Sequence, residues 1–90
     1  IASNAFKGNT KVKKIVIPST VTNIGKKAFY GCKNLKAVTI KTSQLTTARV
    51  GSQAFTKTHA KANITVPKGK ANSYKKIFLK KGLSKKATVK

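Results

Sequence analysis

Few side chains in this chain of 90 residues belong to the types that carry out chemistry. The sequence contains one cysteine, Cys32, and one histidine, His59, and it has no aspartate or glutamate. No side-chain carboxylate is therefore present to act as general base or glycosidase nucleophile, to orient a catalytic histidine, or to bind Ca²⁺ or Mg²⁺. One cysteine and one histidine are too few for a structural zinc site or an internal disulfide. We expect neither an enzyme nor a metal or cofactor site.

The two residues themselves favour structural roles. Cys32 has no histidine or acid arranged to activate it, so we interpret it as a buried core residue rather than a reactive thiol. His59 has no second ligand within a few residues, and we assign it no role.

Positive charge dominates the composition. The chain has 21 Lys+Arg residues and a formal net charge of +21, and Arg49 is its one arginine. Such a charge attracts polyanions, but lysine lacks the planar fork with which arginine reads guanine. We therefore expect no specific nucleic-acid recognition. The lysines indicate either sequence-independent binding to anionic polymers or a solvated surface without a partner. The densest group, called the cap lysines below, comprises Lys68, Lys70, Lys75, Lys76, Lys80, Lys81, Lys85 and Lys86.

The apolar residues form a repeat within a single small domain. The pair Ala-Phe recurs with spacings of 23 and 26 residues, at Ala5-Phe6, Ala28-Phe29 and Ala54-Phe55. Copies that begin at Ile1, Ile24 and Val50 keep one register. In a degenerate fourth copy, Phe78 follows Phe55 and Val89 follows Val66 in the sequence, each by 23 residues. No apolar run is long enough to cross a bilayer.

Each copy combines a short strand with a turn. Stretches such as Ile15-Val16-Ile17 are β-branched and alternate, which predicts a strand. The segment around Ala28-Phe29 is bounded by glycine, and we interpret it as one helical or 3₁₀ turn that directs the phenylalanine inward. One strand and one turn per copy predict a right-handed α/β solenoid in which parallel strands form one sheet and the four phenylalanines form a buried column.

The C-terminal part predicts the one regular helix. Asn72 or Ser73 can provide its N-cap, Tyr74, Ile77 and Phe78 share a face, and Gly82 can provide the left-handed residue after its end. We expect residues 1–67 to form three coils and residues 68–90 to form a degenerate fourth coil, with a strand around Ala87-Thr88-Val89, that caps the array.

The residues from Val12 to Leu35, VKKIVIPSTVTNIGKKAFYGCKNL, resemble the BspA-type leucine-rich repeat of bacterial surface proteins, whose pattern is LxxIxIPxxVxxIGxxAFxxCxxL. The resemblance covers essentially the whole chain. Copies depart from the pattern at Ala2, at Lys57 and Thr58, and at Lys61.

The resemblance implies a non-enzymatic, extracellular or cell-surface module that presents its sheet to a protein or glycan ligand. The candidate contact residues, called the sheet face below, are Lys14, Val16, Ala37, Thr39, Lys41, Asn63 and Thr65. A solvated, threonine-rich sheet surface explains the same residues without a ligand. The polyanion alternative would use the cap lysines to bind cell-wall teichoic acid, an anionic glycan or nucleic acid.

The first copy begins in mid-repeat at Ile1 and shows no capping segment. We therefore expect this chain to be the C-terminal part of a longer protein. Any signal peptide would lie upstream of it.

Overall fold

The structure, a computed structural model, describes residues 1–90. Four strands form one parallel sheet in the order β1-β2-β3-β4, with β1 at Lys14–Ile17, β2 at Ala37–Ile40, β3 at Asn63–Thr65 and β4 at Thr88–Val89. A 3₁₀ helix lies at Thr47–Arg49, and the α-helix α1 lies at Ala71–Lys80. Because the strands follow chain order and every pair is parallel, each copy adds its strand beside that of the previous copy.

The register of the first three strands is the one that the repeat predicts. Ile15 lies opposite Val38, and Val38 lies opposite Ile64. Val38 and Ile64 are both buried, while Ile15 on the edge strand is half-buried and packs against the same core. The β-branched residues therefore line the inner face of the sheet, as their alternation indicates.

The register of the fourth strand differs from the prediction. The spacing of 23 residues placed Val89 beside Val66, but Val89 lies opposite Ile64, two residues earlier. Side chains alternate with a period of two, so a two-residue shift leaves Val89 on the same face. The hydrophobic pattern is the same in both registers and cannot distinguish them.

The four phenylalanines form the predicted column. Ring centroids are 5.6 Å apart between Phe6 and Phe29, 5.4 Å between Phe29 and Phe55, and 4.7 Å between Phe55 and Phe78. Phe29, Phe55 and Phe78 are at most 1% exposed, whereas Phe6 is half-buried at the end of the column. Every phenylalanine thus packs against the equivalent residue of its neighbouring copy.

The segment around each Ala-Phe pair is not the helical turn that we predicted. In the second copy the Ala28 N–H donates to the Gly25 carbonyl at 3.2 Å, which closes a reverse turn. Lys27 within this turn has a φ of 56°, and Gly31, four residues later, has a φ of 78°. A right-handed helical turn contains no positive φ, so the segment is a pair of successive turns.

Amide pairing between copies explains why turns replace a helix. The Phe29 N–H donates to the Ala54 carbonyl at 2.9 Å, and the Gly31 N–H donates to the Thr56 carbonyl at 3.0 Å. Alternate N–H groups therefore point to the next copy. In a helical turn they would instead point along the axis of the helix. The turn segments form a second ladder of hydrogen bonds beside the sheet.

Close approach between copies requires glycine at the start of this segment. A Cβ atom added to Gly25 would lie less than 3 Å from backbone atoms of Ser3, and one added to Gly51 would lie less than 3 Å from those of Lys26. The Ile-Gly motif of the repeat thus marks a contact between two backbones.

Helix α1 begins earlier than predicted. Its N-cap position is Lys70, without a side-chain capping bond, and not Asn72 or Ser73. The Lys70 N–H donates to the Pro67 carbonyl at 3.0 Å, and Gly69 between them has a φ of 82°. This turn leads directly into the helix, so the two polar residues lie within its first turn.

The C-terminal end of α1 has the predicted geometry. Gly82 has a φ of 96°, its N–H donates to the Leu79 carbonyl, and the Leu83 N–H donates to the Phe78 carbonyl at 3.0 Å. These two bonds define a Schellman motif. Leu83 folds back and is buried, which attaches the end of the helix to the core.

A buried tyrosine connects α1 to the loop that follows β2. The Tyr74 hydroxyl donates to the Thr42 carbonyl at 2.7 Å and accepts the Leu45 N–H at 3.3 Å. Tyr74 and Thr42 are at most 1% exposed. Because unpaired buried polar groups are costly, this pair of bonds fixes the position of the helix over the second copy.

We expect Phe29→Ala to lower the free energy of unfolding by about 3–5 kcal/mol, since it removes a fully buried ring from the middle of the column. Phe6→Ala should cost less, because Phe6 is half-buried and contacts one ring of the column. Urea denaturation followed by circular dichroism measures both. An equal or larger loss for Phe6→Ala would contradict the column as the main source of stability.

We expect Lys57→Gly to stabilise the protein. Lys57 has a φ of 61°, where glycine is free of strain, and Gly31 occupies the equivalent position of the second copy. Relief of the left-handed strain exceeds the added entropy of the unfolded chain by about 0.5–1 kcal/mol. Lys61→Gly, which also removes one exposed lysine but not from a positive φ, is the matched control and should destabilise. A lower melting temperature for Lys57→Gly than for the unmodified chain would contradict the interpretation.

Candidate binding surfaces

The residues of the sheet face form a continuous surface of cross-strand rows. Lys14 lies opposite Ala37, and Ala37 lies opposite Asn63. Val16, Thr39 and Thr65 form the next row in the same way. The structure therefore brings together six of the seven predicted contact residues on the outer side of β1, β2 and β3, and Lys41 follows immediately after β2.

Exposure along the sheet face is uneven. Val16 is 48% exposed, and Lys14, Lys41, Asn63 and Thr65 are exposed, whereas Ala37 and Thr39 on the second strand are half-buried. None of these side chains belongs to the hydrophobic core on the inner side of the sheet.

Thr88 belongs to the same surface but was missing from the predicted contact residues. It lies opposite Asn63 in the register of β4, and its hydroxyl donates to the Asn63 Oδ1 atom at 2.6 Å. The Ala87-Thr88-Val89 strand was visible in the sequence, and its alternation places Thr88 outward. The outward-facing row of Lys14, Ala37 and Asn63 thus extends to the fourth strand, and the hydrogen bond orients the Asn63 amide.

The cap lysines lie on α1 and in the turns on either side of it. Lys70 and Lys81 are half-buried, and the exposed members are Lys68, Lys75, Lys76, Lys80, Lys85 and Lys86. With no side-chain carboxylate in the chain, none of these ammonium groups has an internal acidic partner. The group forms a strongly basic surface at the C-terminal end of the array.

A second basic cluster, which the sequence did not reveal, surrounds Tyr30. The Nζ atoms of Lys7, Lys27 and Lys57 lie 5.9, 5.4 and 5.5 Å from the centroid of its ring. These lysines come from three successive copies, and the stacking of the turn segments brings them together. Their sequence positions do not follow one repeat register, so spacing gave no signal of the cluster.

Comparison with family models decides the identity of the repeat. A model of the BspA-type leucine-rich repeat region, described as six copies, matches residues 1–89. The chain belongs to the BspA-type leucine-rich repeat family. Comparisons with curated proteins and with solved structures give no match.

The cysteine of the BspA-type pattern is a core residue in this chain. Cys32 is fully buried, and its thiol donates to the Phe6 carbonyl at 3.0 Å, which adds a bond between two copies. Burial raises the pKa of the Cys32 thiol, although a hydrogen bond from the Asn9 backbone opposes this effect. The folded state favours the neutral thiol, so this contribution to stability is complete below the pKa of the unfolded thiol. It is lost as the pH rises from that pKa through the higher pKa of the folded thiol.

His59 has a local structural role. Its Nδ1 atom accepts the Lys61 N–H at 3.0 Å and so closes a turn in the third BspA-type copy. No group of three or more metal-binding side chains exists in the structure, and the surface has no pocket. Helix α1 is neither long nor apolar enough to span a membrane. The candidate binding sites of the BspA-type array are extended surfaces.

Proposed function

We propose that this chain is a non-enzymatic binding module whose sheet face contacts a protein or glycan ligand. The observation that carries the proposal is the continuous outer row of side chains across in-register strands, from Val16 through Thr39 to Thr65. BspA-type repeats typically occur on bacterial surface proteins, and the family suggests a protein-binding role. The sheet face has the extended form that such binding needs, without a cavity.

The composition of the sheet face supports a ligand recognised by shape and hydrogen bonds. Its centre is neutral, with Thr39, Asn63 and Thr65, and lysines flank it at Lys14 and Lys41. Threonine hydroxyls and an asparagine amide both donate and accept hydrogen bonds, as glycan hydroxyls and peptide groups require. Because the backbone of a sheet is rigid, these groups are held in place before the ligand arrives.

We further propose that the module acts outside the cell or at the cell surface. In this proposal residues 1–67 present the sheet face, and residues 68–90 cap the end of the array through α1 and β4. A cap is needed because the last strand of a repeat array otherwise exposes its edge and its apolar core.

Binding of anionic polymers through the cap lysines is the second candidate function. The observation that favours it is the exposure of six of the eight cap lysines in a chain with a net charge of +21. Polymers such as teichoic acid, an anionic glycan or nucleic acid would bind without sequence preference, because lysine contacts only the charge of the polymer.

We expect Thr65→Arg to abolish binding through the sheet face, because the long side chain would project from this face on β3, a strand with neighbours on both sides. Thr47→Arg is the matched control. Thr47 is also exposed, and the substitution adds the same charge outside the sheet. Flow cytometry of the labelled chain on fixed bacterial and fixed epithelial cells measures binding. Equal binding by the two variants would contradict a role for the sheet face.

Salt dependence separates the two candidate functions in the same assay. Binding through lysine charge falls steeply as NaCl rises from 50 to 200 mM, by about 10³-fold when roughly six contacts are neutralised. Recognition by the neutral centre of the sheet face should change much less over this range. Loss of binding in a Lys75→Gln, Lys76→Gln, Lys80→Gln and Lys85→Gln variant, with full binding by Thr65→Arg, would favour the cap lysines.

A further inference from the structure

We propose that Tyr30 and the lysines around it form a specific site for a sulfate or phosphate ester, separate from both the sheet face and the cap lysines. The site consists of the Nζ atoms of Lys7, Lys27 and Lys57 and the hydroxyl of Tyr30. It lies on the stacked turn segments of the first three copies. We call it the Tyr30 site.

The geometry gathers three positive charges around one ring. All three Nζ atoms lie between 5.4 and 5.9 Å from the Tyr30 centroid. The negative face of an aromatic ring attracts ammonium groups, which orders three otherwise mobile side chains. Three positive charges this close to one ring also repel one another, and the chain has no side-chain carboxylate to neutralise them. A sulfate ester carries one negative charge and a phosphate monoester up to two, and either would offset part of this repulsion.

The hydrogen-bonding groups at the site are matched to an oxyanion. Each ammonium has three donors and no acceptor. The Tyr30 hydroxyl has no hydrogen-bond partner within the protein, and its ring is half-buried, so the hydroxyl is available as a further donor. A sulfate or phosphate ester has three terminal oxygens that accept hydrogen bonds from several donors at once. A neutral ligand would leave the ammonium charges unbalanced.

Two of these lysines lie at positive-φ positions of the repeated turn. Lys27 has a φ of 56° and Lys57 a φ of 61°, a region that glycine and asparagine occupy more readily than lysine. The position of Lys57 is glycine in the first two copies, Gly8 and Gly31, both with positive φ. Asn4 and Gln53, the equivalents of Lys27 in the first and third copies, have the same positive φ, so this conformation belongs to the repeated turn. The turn places Lys27 and Lys57 on the side of the array where Tyr30 lies.

The test compares two variants that each lose three positive charges. One has Lys7, Lys27 and Lys57 changed to glutamine, which Gln53 shows to be compatible with a positive φ in this segment. The control has Lys68, Lys75 and Lys76 changed to glutamine. Titration calorimetry with a heparin-derived disaccharide sulfate and with glycerol phosphate, at constant ionic strength, measures binding of the two ester types separately.

We expect the Tyr30-site variant to lose roughly tenfold or more in affinity for at least one ester, because three charge-assisted contacts are removed. The control variant should lose less than about twofold, since distant exposed charges are screened. The preferred ester identifies the ligand class. Equal losses for the two triple variants, or no binding of either ester to the full chain, would overturn the proposal.

A second readout uses the unaltered chain and does not depend on the folding of any variant. In ¹H–¹⁵N and aromatic NMR spectra, addition of the preferred ester should shift the Tyr30 ring and the amides of Lys27 and Lys57 at the lowest concentrations. Tyr30→Phe should weaken binding while leaving the melting temperature unchanged. Shifts that begin instead at Lys75 and Lys76 would assign the binding to the cap lysines and overturn the proposal.

Discussion

Contact between neighbouring copies is the interaction on which the rest of the structure depends. A segment of one strand and one pair of turns is too short to bury its own apolar side chains. Its phenylalanine is enclosed only when the rings of the adjacent copies lie against it, as Phe29 is enclosed by Phe6 and Phe55. Two ladders of amide hydrogen bonds, one in the sheet and one along the turns, hold the copies at this spacing. The glycines at positions 25 and 51 permit that spacing because a side chain would collide with the next backbone.

The acid-free composition limits what such an array can do. Twenty-one basic residues and no side-chain carboxylate leave no carboxylate general base, no side-chain carboxylate ligand for a metal ion and no ion pair between side chains. The same composition places uncompensated positive charge on every copy, and the apolar column must stabilise the fold against that repulsion. The functions proposed for the array lie on its surfaces: the neutral centre of the sheet face for shape recognition, and the basic clusters of the cap lysines and of the Tyr30 site for anions.

The sequence predicted those features that the hydrophobic period determines. The alternation at Ile15 and Val38 established the inner face and the register of the first three strands, and Gly82 indicated the end of α1. The features that it missed depend on contacts between copies. The positive φ of Lys27 follows from amide pairing with the third copy. The register of Val89 could not be predicted, because a shift of two residues leaves the alternation of inward and outward side chains unchanged. The cluster around Tyr30 combines lysines that are unrelated by the repeat, so only the stacked structure reveals it.

Native-state hydrogen exchange of the amides that pair between copies tests the central claim most directly. The Phe29 and Phe55 N–H groups donate to different copies, at Ala54 and Lys81. If contact between copies stabilises the whole array, both amides should exchange only through global unfolding, with equal free energies that match the value from urea denaturation. Rapid exchange of the Phe29 amide while the sheet amides of β2 remain protected would contradict the account, because the turn ladder would then be independent of the sheet.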